Sequence, residues 1–209
     1  MKWGRIQPRE FYKRSVVDVA RDLLGCILVR ETSRGLILAG RLVEVEAYRG
    51  DGSDPSAHSH RGPTPRNSSM FGPPGHLYAY SIYGIHTCIN LVCEPEGSGS
   101  AVLIRAVEPL VGVDRMRMNR GLKPDVQGPS IASGPGRLSQ AFGFSLEEDG
   151  CPLHRKELCI RAPGTWSQPL TLAQGPRIGI SKAIDLPYRF YAEGNPWVSR
   201  MPKAKSLRS

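Results

Sequence analysis

The sequence predicts an α+β protein: a single domain on a curved, mostly antiparallel β-sheet, surrounded by helices and carrying a protruding β-hairpin. Three observations lead there. Apolar and polar residues alternate in strand-like runs separated by Gly- and Pro-rich turns. Helical patterns are short and fall between groups of strands, without the regular strand–helix alternation of a parallel sheet. The run LYAYSIYGIH reads as two strand halves that meet at a Tyr-Gly turn.

Taken in order, SVVDVARDLLG (15–25) predicts a short amphipathic helix with Ser15 as N-cap and Gly25 as its stop. CILVRE (26–31) and LILAGRLVEVEAY (36–48) predict two strands joined by TSRG, with Gly40 marking a bulge or bend. Residues 49–76 form a Gly/Pro-rich loop, structured because Met70 and Phe71 must pack somewhere; long loops of this kind commonly carry function. Residues 76–110 hold three strands, with Tyr83-Gly84 at the tip of a tight hairpin. VGVDRMRMNRG starts a helix near Asp114, and SGPGRLSQAFGF (133–144) turns into another. ELCIRA, PRIGISK and YRFYA are the remaining strand candidates. Residues 1–200 make one domain, and 201–209 form a basic tail with the composition of a disordered segment.

Lys and Arg outnumber Asp and Glu by 28 to 19, giving +9, which points to a polyanionic partner, nucleic acid first. No stretch approaches the ~18 consecutive apolar residues of a membrane span. The N-terminal MKWGRIQPREFYKR has no apolar signal-peptide core, so export is not expected. Five cysteines at irregular spacing read as reduced thiols. His58-x-His60 and Cys88-x4-Cys93 do not match zinc or iron–sulfur spacings, and no phosphate-loop motif follows the glycine-rich turns, so no metal or cofactor is expected.

The chemistry concentrates in VEVEAYRGDGSDPSAHSH (43–60). Residues two apart on a strand share a face ~6.6 Å apart, so Glu44, Glu46 and Tyr48 stand together opposite Val43, Val45 and Ala47. An exposed strand face explains this, and so does a base in a pocket whose aromatic wall stacks on a flat ligand. In SAVLIRAVEP, Arg105 interrupts an apolar run and requires a carboxylate, from Glu46, Glu44 or Glu108. Tyr83 at a hairpin tip either folds back on its loop or serves as a wedge between base pairs. A two-residue Tyr83-Gly84 turn pairs Tyr80 with Thr87 and puts Asn90 on the opposite face from Tyr80.

These segments, with TPRN, SGPGRLSQAFG and RFYAEGNPWVS in the same order, resemble the alkyladenine (3-methyladenine) DNA glycosylase family from about Arg5 to Ser199. The resemblance implies a monofunctional glycosylase of base excision repair that flips alkylated or deaminated purines from duplex DNA and hydrolyses the N-glycosidic bond. On that likeness Glu46 is the general base and Arg105 positions it. The backbone carbonyl near Ile178 completes the water site. Tyr48 and His58 sandwich the base, with Tyr80 beside them, Asn90 excludes guanine and Tyr83 intercalates. The loop between Tyr48 and His58 is slightly longer than in mammalian members. The implied partner is double-stranded DNA containing damaged purines, with no membrane and a monomer sufficing, at the nucleoid in the cytoplasm of a bacterium or in a eukaryotic nucleus. A hydrolase of other glycosides using Glu44 and Glu46, and a non-catalytic damaged-DNA binder, are the rival readings.

Overall fold

The computed structural model describes residues 3–165 and 168–199; the basic tail at 201–209 lies outside the described residues. An eight-stranded antiparallel sheet dominates. Its strands are β1 (Ile27–Glu31), β2 (Ile37–Tyr48), β3 (Leu77–Ile82), β4 (His86–Cys93), β5 (Ser100–Val111), β6 (Leu158–Arg161), β7 (Leu172–Gly175) and β8 (Arg189–Ala192). The order is β3-β4-β5-β2-β1-β6, with β8 on β2 and β7 on β8.

Strand β2 organises the rest. Strand β5 runs along one edge of it from Ala39 to Tyr48. The other edge is shared: β1 pairs with residues 37–41, and β8 takes over at Glu44–Glu46. The β2–β5 register slips at Ala39/Gly40 and on both sides of Glu44, leaving Val43 and Arg105 without direct partners. Such bulges sharpen twist and re-aim side chains. Gly40 permits the first slip because a β-carbon there would stand 2.8 Å from Val107 Cγ2. The register shift meets the expectation of a bulge or bend at Gly40.

The helices are α1 (Arg9–Tyr12), α2 (Val16–Leu23), α3 (Val113–Asn119) and α4 (Pro135–Phe142). The buried faces of α2 (Val16, Val19, Ala20, Leu23) and α4 (Leu138, Ala141, Phe142) pack into one core with Leu42, Val45, Ala47, Leu91 and Ile104 of the sheet. Ser15 occupies the N-cap position of α2, but its side chain makes no capping bond. Glu94 Oε1 accepts the Val16 N–H at 2.9 Å instead, tying the helix to the end of β4. Met70, in a short 3-10 turn (Ser68–Phe71), packs with Phe71 against Tyr78, Val92 and Ala101, so the long loop is anchored as its sequence predicted.

Two expectations are corrected. PRIGISK (176–182) is not a strand; the strand lies just before it at Leu172–Gly175, and the segment itself turns through bends. The hairpin tip is one residue longer than expected: Ile82 pairs with His86, leaving a three-residue loop Tyr83–Gly84–Ile85. Tyr80 is therefore opposite Cys88 and Tyr78 opposite Asn90, which puts Tyr78, Tyr80 and Asn90 on one face with no bulge. Tyr83 adopts φ 55° and Gly84 φ 70°. For tyrosine the left-handed region costs about 1 kcal/mol.

Gly50, two residues past the end of β2, turns the chain into the long loop under the Ser98–Gly99 backbone; its N–H reaches Ser100 Oγ at 2.8 Å. A β-carbon at Gly50 would fall inside the Ser98 carbonyl. Gly50→Ala is expected to destabilise the fold by about 2 kcal/mol or more, read from urea unfolding; a loss near zero would mean that this crossing is not tight.

Candidate active site

Side chains from four strands and three loops converge on a cavity of about 510 Å³, within the range of small-molecule sites. Its wall includes Tyr48 at the end of β2, His58 in the long loop, Tyr78 and Tyr80 on β3, Asn90 on β4, Arg105 on β5 and Ile178 after β7. The three-residue hairpin turn makes this possible by bringing Asn90 onto the tyrosine face.

Behind that wall stands a carboxylate. Glu46 is fully buried, and three residues that line the cavity, Tyr48, Arg105 and Ile178, bond it. Its Oε1 accepts the Ile178 N–H at 2.7 Å, and its Oε2 accepts Tyr48 Oη at 2.9 Å and Arg105 Nη1 at 3.2 Å. A carboxylate has about four acceptor positions, so Oε1 retains capacity for a further donor. Burial, and then the negative charge of Glu46, raise the Tyr48 phenol well above its ordinary value, so it stays a proton donor to the carboxylate. Burial opposes the charge on Arg105, but Glu46 and then Glu44 outweigh it and hold the guanidinium above its usual value.

Arg105 bridges both acids: its Nε donates to Glu44 Oε1 at 3.1 Å. Glu108 was a third candidate partner, and the guanidinium does not bond it. Glu44 also accepts Arg189 Nε at 2.7 Å, and the Ser199 N–H and Oγ at 2.7 and 2.8 Å. Fully buried and held by four donors, Glu44 does not line the cavity. It is structural charge: four donors match the roughly four acceptor positions of a carboxylate, against three donors on Glu46. The exposed-face explanation of Glu44 and Glu46 fails on their burial.

The opposite wall is aromatic. Tyr78 and Tyr80 stack with centroids 5.4 Å apart at 22°, and the His58 ring stands edge-on to Tyr80 at 4.5 Å. His58 Nδ1 lies 2.9 Å from Tyr78 Oη, which fixes the ring. Partial desolvation, then the charge of Arg66, lowers the His58 pKa, favouring a neutral imidazole. Burial, then neighbouring Cys88, raises the Tyr80 phenol far above its ordinary range. The Asn90 amide donates to the Tyr78 carbonyl at 3.2 Å, setting its orientation. Tyr83 stands at the rim, 91% exposed, beside Ile85 at 76%. It does not fold back onto its loop.

Glu46, Arg105, Tyr48, His58, Tyr80, Asn90, Ile178 and Tyr83 thus fall in or against one cavity, whereas Glu44 and Glu108 do not line it. Ile178 gives its amide N–H to Glu46, a contact separate from the carbonyl near Ile178 that the resemblance assigns to the water site. Glu46 itself is fully buried and has no exposed surface in the cavity. Sequence reasoning left Tyr78 unassigned, although its spacing of two from Tyr80 marks the same face. It also missed Asp54 and Arg177, which pair across 123 positions without any local signal.

A model of the methylpurine-DNA glycosylase family matches residues 10–196 of the chain. A protein of Methanoculleus marisnigri is 51% identical over 196 residues, covering 92% of this chain and 98% of that one. Relatives from Burkholderia lata (48% over 201 residues, 95% and 93% covered) and Rhodopseudomonas palustris (47% over 197, 94% and 89%) are similar throughout. Each is provisionally named a 3-methyladenine DNA glycosylase.

The unequal donors around Glu46 make a testable ranking. Arg105→Met leaves two buried carboxylates without their shared cation and is expected to cost about 3–5 kcal/mol. Tyr48→Phe removes one neutral donor to a charge, for about 1.5–3 kcal/mol. Urea unfolding of both variants checks the order, and equal losses would mean that Arg105 is not the principal counter-charge.

Proposed function

The chain belongs to the methylpurine-DNA glycosylase family, and from that premise we propose that it is a monofunctional DNA glycosylase of base excision repair. It extrudes alkylated or deaminated purines from duplex DNA and hydrolyses the N-glycosidic bond, leaving an abasic site. The observation that carries this reading is a fully buried glutamate, oriented by a guanidinium, a phenol and an amide, against an aromatic cavity.

Extrusion costs a few kcal/mol, least for damaged or poorly paired bases. Tyr83, standing free at the hairpin tip, offsets that cost by stacking where the base had been. Inside, Tyr48, His58, Tyr78 and Tyr80 line a space suited to a flat purine. Alkylated purines are cationic and gain a cation–π contribution there. Asn90, rigidly bonded to the Tyr78 backbone, meets the exocyclic amino group of guanine and excludes it.

In the chemical step a water donates to the remaining acceptor position of Glu46 Oε1 and attacks the anomeric carbon as the purine leaves. Glu46 takes the proton. The negative charge of Glu46 and of the DNA phosphates stabilises the positive charge developing on the sugar. A cationic purine departs without further help, whereas a neutral one such as hypoxanthine leaves after protonation. One chain supplies every group used, so a monomer suffices. The net charge of +9 serves the phosphate backbone, with affinity falling steeply with salt. Among the described residues no helix is long and apolar enough to cross a membrane. The enzyme works where the chromosome is.

Glu46→Gln is expected to lower single-turnover release of hypoxanthine or 3-methyladenine from duplex DNA by about 10²- to 10⁴-fold while retaining lesion binding. Release at the wild-type rate would remove Glu46 from the mechanism. Tyr83→Ser is expected to weaken binding to lesion-containing duplex by about 1–3 kcal/mol, with little change on single-stranded substrate. Equal losses on the two substrates in a gel-shift titration would rule out a wedge.

A further inference from the structure

Beside the cavity lies an ion pair that the proposed mechanism does not use. Arg177 forks onto both oxygens of Asp54, Nη1 to Oδ2 at 2.5 Å and Nη2 to Oδ1 at 2.8 Å, with both side chains fully buried. Asp54 also accepts the backbone N–H of Ser56 at 3.1 Å and of Arg49 at 3.3 Å. It thereby gathers the loop between Tyr48 and His58 around one carboxylate. Arg177 Nη1 donates in addition to the Ala47 carbonyl at 2.9 Å. Its guanidinium carbon lies 4.5 Å from the centroid of the Tyr48 ring.

Tyr48 lines the cavity and Arg177 does not, so the guanidinium covers the ring face turned away from it. The next residue, Ile178, supplies the N–H on Glu46 Oε1. A second tie joins the same two loops, Ser56 Oγ donating to the Lys182 carbonyl at 2.5 Å. One ion pair thus touches the back of the stacking tyrosine, the strand end that carries it, the loop that leads to His58 and the residue before the amide on the carboxylate. A buried ion pair is no better for stability than a well-packed apolar pair of the same volume. What a planar fork adds is geometry, because it fixes distance and plane together.

We propose that Arg177, held by Asp54, is a positioning residue for the glycosylase reaction: it sets the plane of Tyr48 from behind and seats the Ile178 amide on Glu46, so that base stacking and alignment of the carboxylate are coupled. The inference rests on the glycosylase reading above.

Two variants test it. Arg177→Lys keeps the charge but can neither fork onto both Asp54 oxygens nor lie flat on Tyr48. Asp54→Asn/Arg177→Gln removes both charges, so no buried ion is left alone. Each is assayed by single-turnover base release from a duplex with one hypoxanthine, alongside binding to undamaged duplex. Reaction amplitude reports the folded, active fraction, and the rate constant reports how well that fraction is assembled. Both rate constants are expected to fall about 10- to 100-fold, with undamaged-duplex affinity unchanged and Arg177→Lys failing to rescue. A wild-type rate constant in either variant, or a loss of amplitude alone, assigns the pair a purely structural role and overturns the proposal. Absence of release by the unaltered protein, on any lesion, would sink the glycosylase reading itself and this inference with it.

Discussion

Burying a carboxylate beside a cavity is costly unless donors replace the water it loses, and the arrangement of this protein follows from how Glu46 meets that requirement. Its counter-charge, Arg105, comes from the neighbouring strand at the point where the β2–β5 register slips. The same guanidinium reaches Glu44, and Glu44 draws in Arg189 of β8 and the backbone and hydroxyl of Ser199. Two acids and two arginines therefore bind β2, β5, β8 and the segment after β8 into one charged knot. Glu44 satisfies the second half of Arg105 and prevents it from rotating toward Glu46 alone. The geometry around Glu46 and the sheet geometry are one constraint.

A second constraint is the parity of the hairpin. Strand side chains alternate faces, so one residue more or less in the turn decides whether Asn90 shares a wall with Tyr78 and Tyr80 or points away from them. The three-residue loop sets that parity and projects Tyr83, at the cavity rim, and Ile85 into solvent. The element that reaches outward and the wall that receives a ligand are thus two ends of the same paired strands, and a change in the turn alters both.

Much of this was legible in the sequence because it is local. The alternation in β2 marked Glu44, Glu46 and Tyr48, and an arginine inside the apolar run of β5 demanded a carboxylate. Gly40 marked the first register slip. The parts that were not legible depend on contacts between distant segments. PRIGI carries the apolar residues of a strand, but Arg177 of that segment is drawn into an ion pair with Asp54, and the Ile178 N–H goes to the Glu46 side chain and not to a ladder. The hairpin register was misjudged because YG resembles the two-residue turns, while tyrosine at φ 55° in a three-residue loop has no sequence mark. Whether Glu44 or Glu46 faces the cavity cannot be read from alternation, since both lie on one face; the four donors around Glu44 decide it.

The depth of Glu46 has a consequence for selectivity under the proposed mechanism. On that mechanism the carboxylate acts on the sugar side of the bond through water, and its fully buried side chain offers the purine no exposed surface. It can hydrolyse whatever is held in place, and it has no means of telling one base from another. Discrimination then falls to the cost of extrusion and to the groups that line the cavity, His58, Tyr80 and Asn90, each fixed by neighbours before a ligand arrives. Separating admission from chemistry in this way accommodates purines that differ in charge and in substituents while one water and one base do the work.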